Sequence, residues 1–182
     1  MKTVAVLALA LALTVPDATA ASSALPVAAQ ALTHAREGTV QGCGLRLTGG
    51  ETGRPASSWF DVSFNVFGRG IGLAQSIAYE LTRSEYDGEA RPARVPVRST
   101  WVQAEAGSPR RGENLERRET LVYTLLAEDV LALFEAAARN RSVTLGIRRW
   151  GEPEDAVYRA TLELDERARS ELHACLAHLN FD

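Results

Sequence analysis

The sequence predicts an α+β protein with a mainly antiparallel β-sheet, sandwich-like or curved into a half-barrel, and two helices from the C-terminal half packed on one face. Three observations predict this class. Several short segments alternate apolar and polar residues with the period of a strand. Two segments in the last third repeat apolar residues with helical spacing. Finally, a length of 182 residues with 46% hydrophobic and 24% charged residues suits one globular domain.

The clearest predicted strand is 59–67, where apolar residues alternate with Asp61, Ser63 and Asn65. Its apolar set, which we expect to face the core, is Phe60, Val62, Phe64 and Val66. An earlier strand at 39–47 has two faces, one with Gln41, Cys43, Leu45 and Leu47, the other with Val40, Gly42, Gly44 and Arg46. The glycines that follow 59–67 indicate a hairpin turn, because they lack the spacing of a dinucleotide-binding loop.

The remaining strands are less regular. Residues 73–83 fit both a helix and a strand, and we favour a strand paired with 59–67. A strand at 95–101 is expected at a sheet edge, since Pro96 has no N–H group to donate to a neighbour. Further strands, the last two forming a hairpin, are expected at 120–125, 143–147 and 158–164. The sheet would then have about six to eight strands.

Two helices are predicted in the last third of the chain. Residues 127–139 carry Glu128 and Asp129 in the first turn, where acidic side chains stabilise the helix dipole. Asn140 follows, and asparagine tolerates the left-handed conformation that ends many helices. Asp165 caps the second helix. The apolar stripe of this helix consists of Ala168, Leu172, Cys175, Leu176 and Leu179.

Residues 1–20 have the layout of a secretory signal. A lysine follows Met1, an apolar run too short to span a bilayer comes next, and Ala18-Thr19-Ala20 supplies small side chains before the cut. We expect cleavage between Ala20 and Ala21. The product would be periplasmic or secreted, with no stable membrane anchor after the signal is removed.

The chain after the signal is expected to form one domain. Residues 21–38 are weakly patterned and predict a loose segment, with a short helix at 27–32 as the alternative. Residues 39–182 predict a single globular α+β domain. Within it, the charged residues at 107–119 indicate a loop.

Cys43 and Cys175 are the only cysteines of the chain. An even count in an exported protein is typical of a disulfide. Cys43 shares a strand face with buried leucines, and Cys175 lies in the apolar stripe of the last helix, so both side chains should point at the same core. We therefore predict a disulfide between them, with two buried free thiols as the alternative.

The composition excludes several chemistries and partners. Lys2 is the only lysine, so the chain beyond the signal has none for a Schiff base or a phosphate-binding loop. The formal net charge of −3 gives no reason to expect a nucleic acid as partner. The three histidines, at 34, 173 and 178, do not have the spacing of a metal site, and neither a metal nor another cofactor is expected.

The strongest candidates for function are aromatic and arginine side chains, because these residue types are enriched at partner surfaces. The candidate binding surface consists of Trp59, Trp101, Arg148, Arg149 and Trp150. Packing in a second core layer is the alternative for the tryptophans. No spacing resembles the G-x-S-x-G motif of a serine hydrolase.

We therefore expect an exported, non-catalytic binding or accessory module whose partner is an envelope or secreted protein. A sharper form of this hypothesis is an inhibitor or immunity-type protein for a partner enzyme. Two alternatives stay open. An envelope-directed hydrolase would gather a histidine with serine or carboxylate side chains in one pocket, and a small-ligand carrier would hold an apolar cavity between sheet and helices.

Overall fold

The computed structural model describes residues 27–50, 58–83, 86–104 and 110–179. The strands are β1 (Val27–Arg36), β2 (Thr39–Gly50), β3 (Ser58–Phe67), β4 (Ile71–Arg83), β5 (Ala90–Val95), β6 (Val97–Ala104), β7 (Arg110–Glu113), β8 (Thr120–Leu126), β9 (Ser142–Arg149) and β10 (Ala156–Thr161). The helices are α1 (Ala127–Ala138) and α2 (Glu166–His178). The expected signal and its cleavage site between Ala20 and Ala21 lie outside the described residues.

Two antiparallel sheets and two C-terminal helices confirm the predicted α+β class. The six-stranded sheet begins with the order β1-β2-β3-β4. The edge of β4 that faces away from β3 pairs with β8 along residues 71–77 and with β5 along residues 78–83. The four-stranded sheet has the order β10-β9-β6-β7. Because residues 73–83 belong to β4 and pair with β3, the strand interpretation of that segment is confirmed.

Residues in the left-handed region of φ close the first hairpins. Glu37 and Gly38, between β1 and β2, have φ angles of 52° and 79°. Arg69 and Gly70, between β3 and β4, have φ angles of 70° and 69°. Glycine adopts such angles without a steric cost, so the glycines after β3 serve a turn, as predicted. Asn140 has a φ of 52° directly after α1, where the sequence predicted the helix to stop.

The core lies between the inner face of the six-stranded sheet, the two helices and the four-stranded sheet. Alternate residues of β2 and β3 point inward and are buried, namely Leu45, Leu47, Phe60, Val62, Phe64 and Val66. Helix α1 contacts β3, β4 and β8 of one sheet and β6 and β9 of the other, whereas α2 packs on β1 and β2. The helices thus cover one face of the six-stranded sheet. The opposite face, which we call the outer face, carries the other half of each strand alternation.

A disulfide joins Cys43 of β2 to Cys175 of α2, as predicted, with the two Cα atoms 5.8 Å apart. Both residues are buried. The Asp165 side chain caps α2 by accepting a hydrogen bond of 2.7 Å from the N–H of Ala168. The cap and the disulfide together fix the start and the middle of α2 on the inner face.

An ion pair between a buried arginine and a partly exposed glutamate connects the two sheets. Arg149 at the end of β9 is 3% exposed, and its guanidinium pairs with the carboxylate of Glu80 in β4. The same guanidinium donates to the backbone carbonyl of Tyr79 at 3.3 Å. The charge of Arg149 is therefore compensated inside the protein rather than by solvent.

The segment 21–38 differs from its prediction where the structure describes it. Residues 27–36 form β1, which pairs with β2 along its length, instead of a loose segment or a short helix. Its inward side chains include Ala29 and Ala31, which are too small to give the sequence a strong strand pattern. The strand forms because β2 supplies its backbone hydrogen-bond partners.

The strand expected at 95–101 divides at Pro96. β5 ends before this proline at the edge of the six-stranded sheet, and β6 begins after it inside the four-stranded sheet. The carbonyl of Pro96 accepts a hydrogen bond of 3.0 Å from the N–H of Trp150. Pro96, which has no N–H group to donate, thus lies at the break between two strands of different sheets. The expectation of one strand at a sheet edge is corrected accordingly. The charged segment 107–119, expected to be a loop, contains the short strand β7.

Removing the disulfide should destabilise the protein without changing its fold. The double variant Cys43→Ser/Cys175→Ser should unfold with a free energy about 4–5 kcal/mol lower, because the bond closes a long loop in the unfolded chain. Urea titration followed by circular dichroism measures the difference. Wild-type protein in a reducing agent is the control and should match the variant. Equal stability with and without the bond would contradict the prediction.

Glu80→Gln should lower the free energy of unfolding by about 1–3 kcal/mol, since it removes the charge of one ion-pair partner of the buried Arg149 guanidinium, and Glu80 itself is partly exposed to solvent. The matched control is Glu89→Gln, which breaks an exposed pair with Arg91 and should change the free energy by less than about 0.5 kcal/mol. Chemical denaturation of both variants tests this, and equal effects would show that the Glu80–Arg149 pair does not hold the sheets together.

Candidate functional site

The outer face of the six-stranded sheet carries a polar groove of about 260 Å³. This outer groove is lined by side chains of β1 to β4 that include His34, Arg46, Asp61, Asn65, Gln75 and Tyr79. The strand register sets their positions, since Arg46 lies opposite Ser63 and Ser63 lies opposite Gln75. Each of these residues is the outward member of an alternation whose inward member belongs to the core. The groove and the core therefore lie on opposite faces of the same strands.

Two glycines of β2 open the outer groove. A Cβ atom on Gly44 would overlap with Oδ1 of Asn65, and one on Gly42 would overlap with the ring of Phe67. The side chains of Asn65 and Phe67 therefore extend across β2 toward β1. There Oδ1 of Asn65 lies 2.7 Å from Nε2 of His34, and the Phe67 ring centroid lies 5.4 Å from that of the imidazole.

Arg46 and Asp61 form a charged pair within the groove. Nε of Arg46 donates to both carboxylate oxygens, at 2.8 and 2.9 Å, and Nη2 also bonds to Asp61. The Asp61 side chain is 11% exposed and the Arg46 side chain 45%. The hydrogen bond to Asp61 raises the pKa of Arg46 above its ordinary value. The guanidinium therefore stays charged, and its charge is balanced by the carboxylate beside it.

Aromatic rings close one end of the outer groove. Trp59 and Tyr79 are cross-strand neighbours on β3 and β4. Their ring centroids are 5.2 Å apart and their planes differ by 11°. Tyr79 lines the groove and Trp59 stacks on it, so this end presents a flat apolar surface next to the charged pair.

The groove gathers His34 with Ser63 and Asp61, the combination expected of a hydrolase. Their contacts do not connect them for proton transfer. His34 contacts the amide of Asn65, the amide donates to Oγ of Ser63 at 3.3 Å, and Asp61 is held by Arg46. A general base has to reach the hydroxyl directly or through one water, whereas an amide here separates imidazole from serine. The arrangement is suited to binding and orienting polar groups.

The predicted binding residues lie in three different places. Trp59 borders the outer groove, and Trp101 and Arg148 lie on the outer face of the four-stranded sheet. The Trp150 ring lies 4.7 Å from the guanidinium carbon of Arg98. Arg149 is buried, which corrects the expectation that it is available to a partner. The alternation of β9 turns this side chain toward the interior.

Trp101 and Arg148 belong to a cluster around Asp155. The Trp101 ring lies over Gly146, where a Cβ atom would overlap with it. Nε1 of Trp101 and Nε of Arg148 each donate to the Asp155 carboxylate at 2.7 Å, and Arg111 pairs with the same group. Burial alone would raise the pKa of Asp155, but the hydrogen bonds from Arg148, Trp101 and Arg111 lower the pKa below its ordinary value. This cluster is a closed network that holds the four-stranded sheet together.

An apolar cleft of about 310 Å³ lies between α1 and α2 and is lined in part by Leu131, Phe134, Leu172 and Leu176. The carrier hypothesis required a cavity between sheet and helices. This cleft lies between the helices, and Phe134 and Leu172 are also part of the buried core. Its walls are thus partly continuous with the buried core.

Two further features of the sequence can be placed. His173 and His178 lie on exposed positions of α2. Within residues 27–50, 58–83, 86–104 and 110–179, no group of three or more His, Cys, Asp or Glu side chains is positioned to hold a metal ion. None of the helices in those ranges has the length and apolar character needed to cross a membrane.

Sequence analysis missed the groove residues other than Trp59, although a signal was present. Asp61 and Asn65 are the polar members of the clearest predicted strand, and Gly42 and Gly44 are the outward members of the strand before it. A polar strand face usually meets only solvent. The register between β1, β2 and β3 is what brings these residues together.

No protein-family model, curated protein or solved structure matches this chain. The geometry of the outer groove is therefore the basis for a proposal on its function.

Asp155→Asn should destabilise the protein by about 1–3 kcal/mol at about pH 7, because three donors lose a charged acceptor. A carboxyl whose pKa is lowered from its ordinary 3.8 by folding stabilises the folded state above that pH and ceases to do so as the pH falls through the folded pKa. The stability gap between wild type and variant should therefore shrink below about pH 4. Urea titrations across this range measure it, with the exposed Asp87→Asn as control. A gap that is independent of pH would contradict the assignment.

Proposed function

We propose that this protein is an exported, non-catalytic binding protein that recognises its ligand through the outer groove. The observation that carries the proposal is the arrangement of polar side chains on a face opposite the two helices. Asp61 and Asn65 are buried, with 9% and 4% of their residue surface exposed. Asp61 is held by Arg46, and Asn65 contacts His34. Polar groups held in place before binding lose little entropy when a ligand arrives, which favours recognition.

The export part of the proposal is supported by two features. Residues 1–20 have the layout of a secretory signal, and Cys43 and Cys175 form a disulfide, which persists in oxidising compartments. We expect the exported protein to begin at Ala21. Its intact mass should correspond to a chain without residues 1–20 and should be lower than that of the reduced form by the mass of two hydrogen atoms. A mass that includes residues 1–20 would contradict the cleavage.

A second candidate function, inhibition of a partner enzyme, is favoured by aliphatic side chains on the same face. Ile71 and Leu126 are cross-strand neighbours that are 50% and 55% exposed, and Val122 is 51% exposed on the same side of β8. Exposed apolar groups beside polar ones are typical of protein interfaces. In this version the groove forms the polar part of a larger interface with a secreted or envelope protein.

The proposed function can be tested by blocking each sheet face in turn. Gln75→Arg/Val122→Arg changes a cross-strand pair on the outer face of the six-stranded sheet. Gln103→Arg/Thr144→Arg changes a matched cross-strand pair on the four-stranded sheet and is the control. Immobilised wild-type protein and both variants are exposed to envelope extract, and bound proteins and glycans are analysed by mass spectrometry. Wild type and control should retain the same ligand, and the groove variant should lose at least about 90% of it.

Two outcomes would contradict the proposed function. In the first, the groove variant retains every ligand that the wild type retains. In the second, the wild type hydrolyses an ester or glycan substrate and Ser63→Ala abolishes that activity, which would place the protein among the hydrolases. The unfolding midpoints of both double variants should stay near that of the wild type, since all four positions face outward.

A further inference from the structure

We infer that the outer groove binds a neutral pyranose unit of an extracellular glycan; this inference rests on the proposed function and specifies its ligand. The argument depends on the flat apolar end of the groove, on the hydrogen-bonding groups along its floor, and on its charge, size and place in the sheet.

The apolar end of the groove matches the apolar face of a sugar ring. The Tyr79 ring lines the groove and is backed by Trp59, with the two planes 11° apart. Both residues are partly exposed to solvent. A pyranose presents several C–H groups on one face, and these pack against an aromatic ring through dispersion and the removal of apolar area from water. The stacked pair keeps this support in one orientation.

The polar floor of the groove matches the hydroxyl groups at the rim of the ring. A sugar hydroxyl both donates and accepts, so neighbouring hydroxyls pair best with groups that offer both functions. Arg46 uses Nε and Nη2 for Asp61, which leaves the N–H groups of Nη1 as further donors on a side chain that is 45% exposed. The amide of Gln75 lies in the next position across the sheet, opposite Ser63, and supplies a donor and an acceptor.

Charge favours a neutral ligand. The carboxylate of Asp61 balances the guanidinium of Arg46 within the pair, so the groove offers no unbalanced cation to an anionic ligand. A phosphate or a uronic acid would have to compete with Asp61 for Arg46. A neutral sugar can instead use the donors and acceptors that the pair leaves available.

Size and position also favour a sugar over a peptide. The volume of about 260 Å³ lies just below the range of sites for drug-sized ligands, which begins at about 300 Å³, and therefore suits a single ring. The groove crosses β2, β3 and β4 in the interior of the sheet. A peptide that binds by strand addition needs a sheet edge, where backbone groups are free, and the groove offers no such edge. An open groove also lets the neighbouring units of a glycan chain continue over the sheet.

Isothermal titration calorimetry of the purified protein, with its disulfide intact, tests the inference. The probes are oligomers of glucose and of N-acetylglucosamine, their monomers, and galacturonic acid oligomers as the charged comparison. A neutral oligomer should bind, and more tightly than its monomer. Trp59→Ala and Gln75→Ala should each weaken binding by about tenfold, which corresponds to the loss of one good contact. Trp59→Phe should stay within about threefold of the wild type, and Gln103→Ala on the other sheet should not change binding.

Each other result counts against the inference. No heat of binding with neutral oligomers at about 10 mM would overturn it, and so would binding that Trp59→Ala and Gln75→Ala leave unchanged. Tighter binding of galacturonic acid oligomers would overturn the neutral class. If sugars fail but Gln75→Arg/Val122→Arg still loses a protein ligand from envelope extract, the glycan inference is wrong and the proposed function stands. If that variant loses nothing, both are wrong.

Discussion

The disulfide between Cys43 and Cys175 holds α2 on the face of the six-stranded sheet that the apolar alternation of its strands buries. Cys43 points inward from β2, so the bond holds α2 against the inner face of β1 and β2. A sheet of this kind needs only one face in the core, and the other can meet solvent or a ligand. The outward residues of the same strands lie on the opposite side because of the strand alternation, and the groove forms on that side.

Glycine performs a similar task in both sheets. Gly44 in β2 leaves room for Asn65 to reach His34, and Gly146 in β9 leaves room for the ring of Trp101. In each case a residue without a side chain lets a neighbouring strand place a large or polar group over it. Asn65 then reaches His34 on β1, and Trp101 reaches Asp155 in the turn after β9. The results differ. At Gly146 the donors around Trp101 close on one carboxylate, whereas near Gly44 the polar groups lie along an open groove. This difference is why we propose the six-stranded sheet as the site of recognition.

The parts of the fold that could be predicted are those with a strong local pattern. β3 alternates large apolar residues with polar ones, which predicts a strand and its buried face. α2 has a capping aspartate and an apolar stripe, which predict where the helix begins and which side of it is buried. The disulfide followed from combining the two faces. β1 was not predicted, because its alanines give almost no difference in hydrophobicity between the two faces of the strand. Its strand conformation depends on pairing with β2. The strand with Pro96 was predicted at a sheet edge. The sequence around a proline gives the same signal at a sheet edge and at a break between two strands, because in both places no N–H group is needed.

The sequence by itself determined which side chains of β3 face the core and which face outward, because alternation is a local property of extended backbone. It also determined the pair of cysteines and the absence of lysine after Lys2. Only the tertiary structure decided which outward residues become neighbours. Arg46, Asp61 and Gln75 come from three strands, and their meeting depends on strand order and register, which arise from hydrogen bonds between distant segments. The same dependence took Arg149 into the interior, where it pairs with Glu80 across the two sheets.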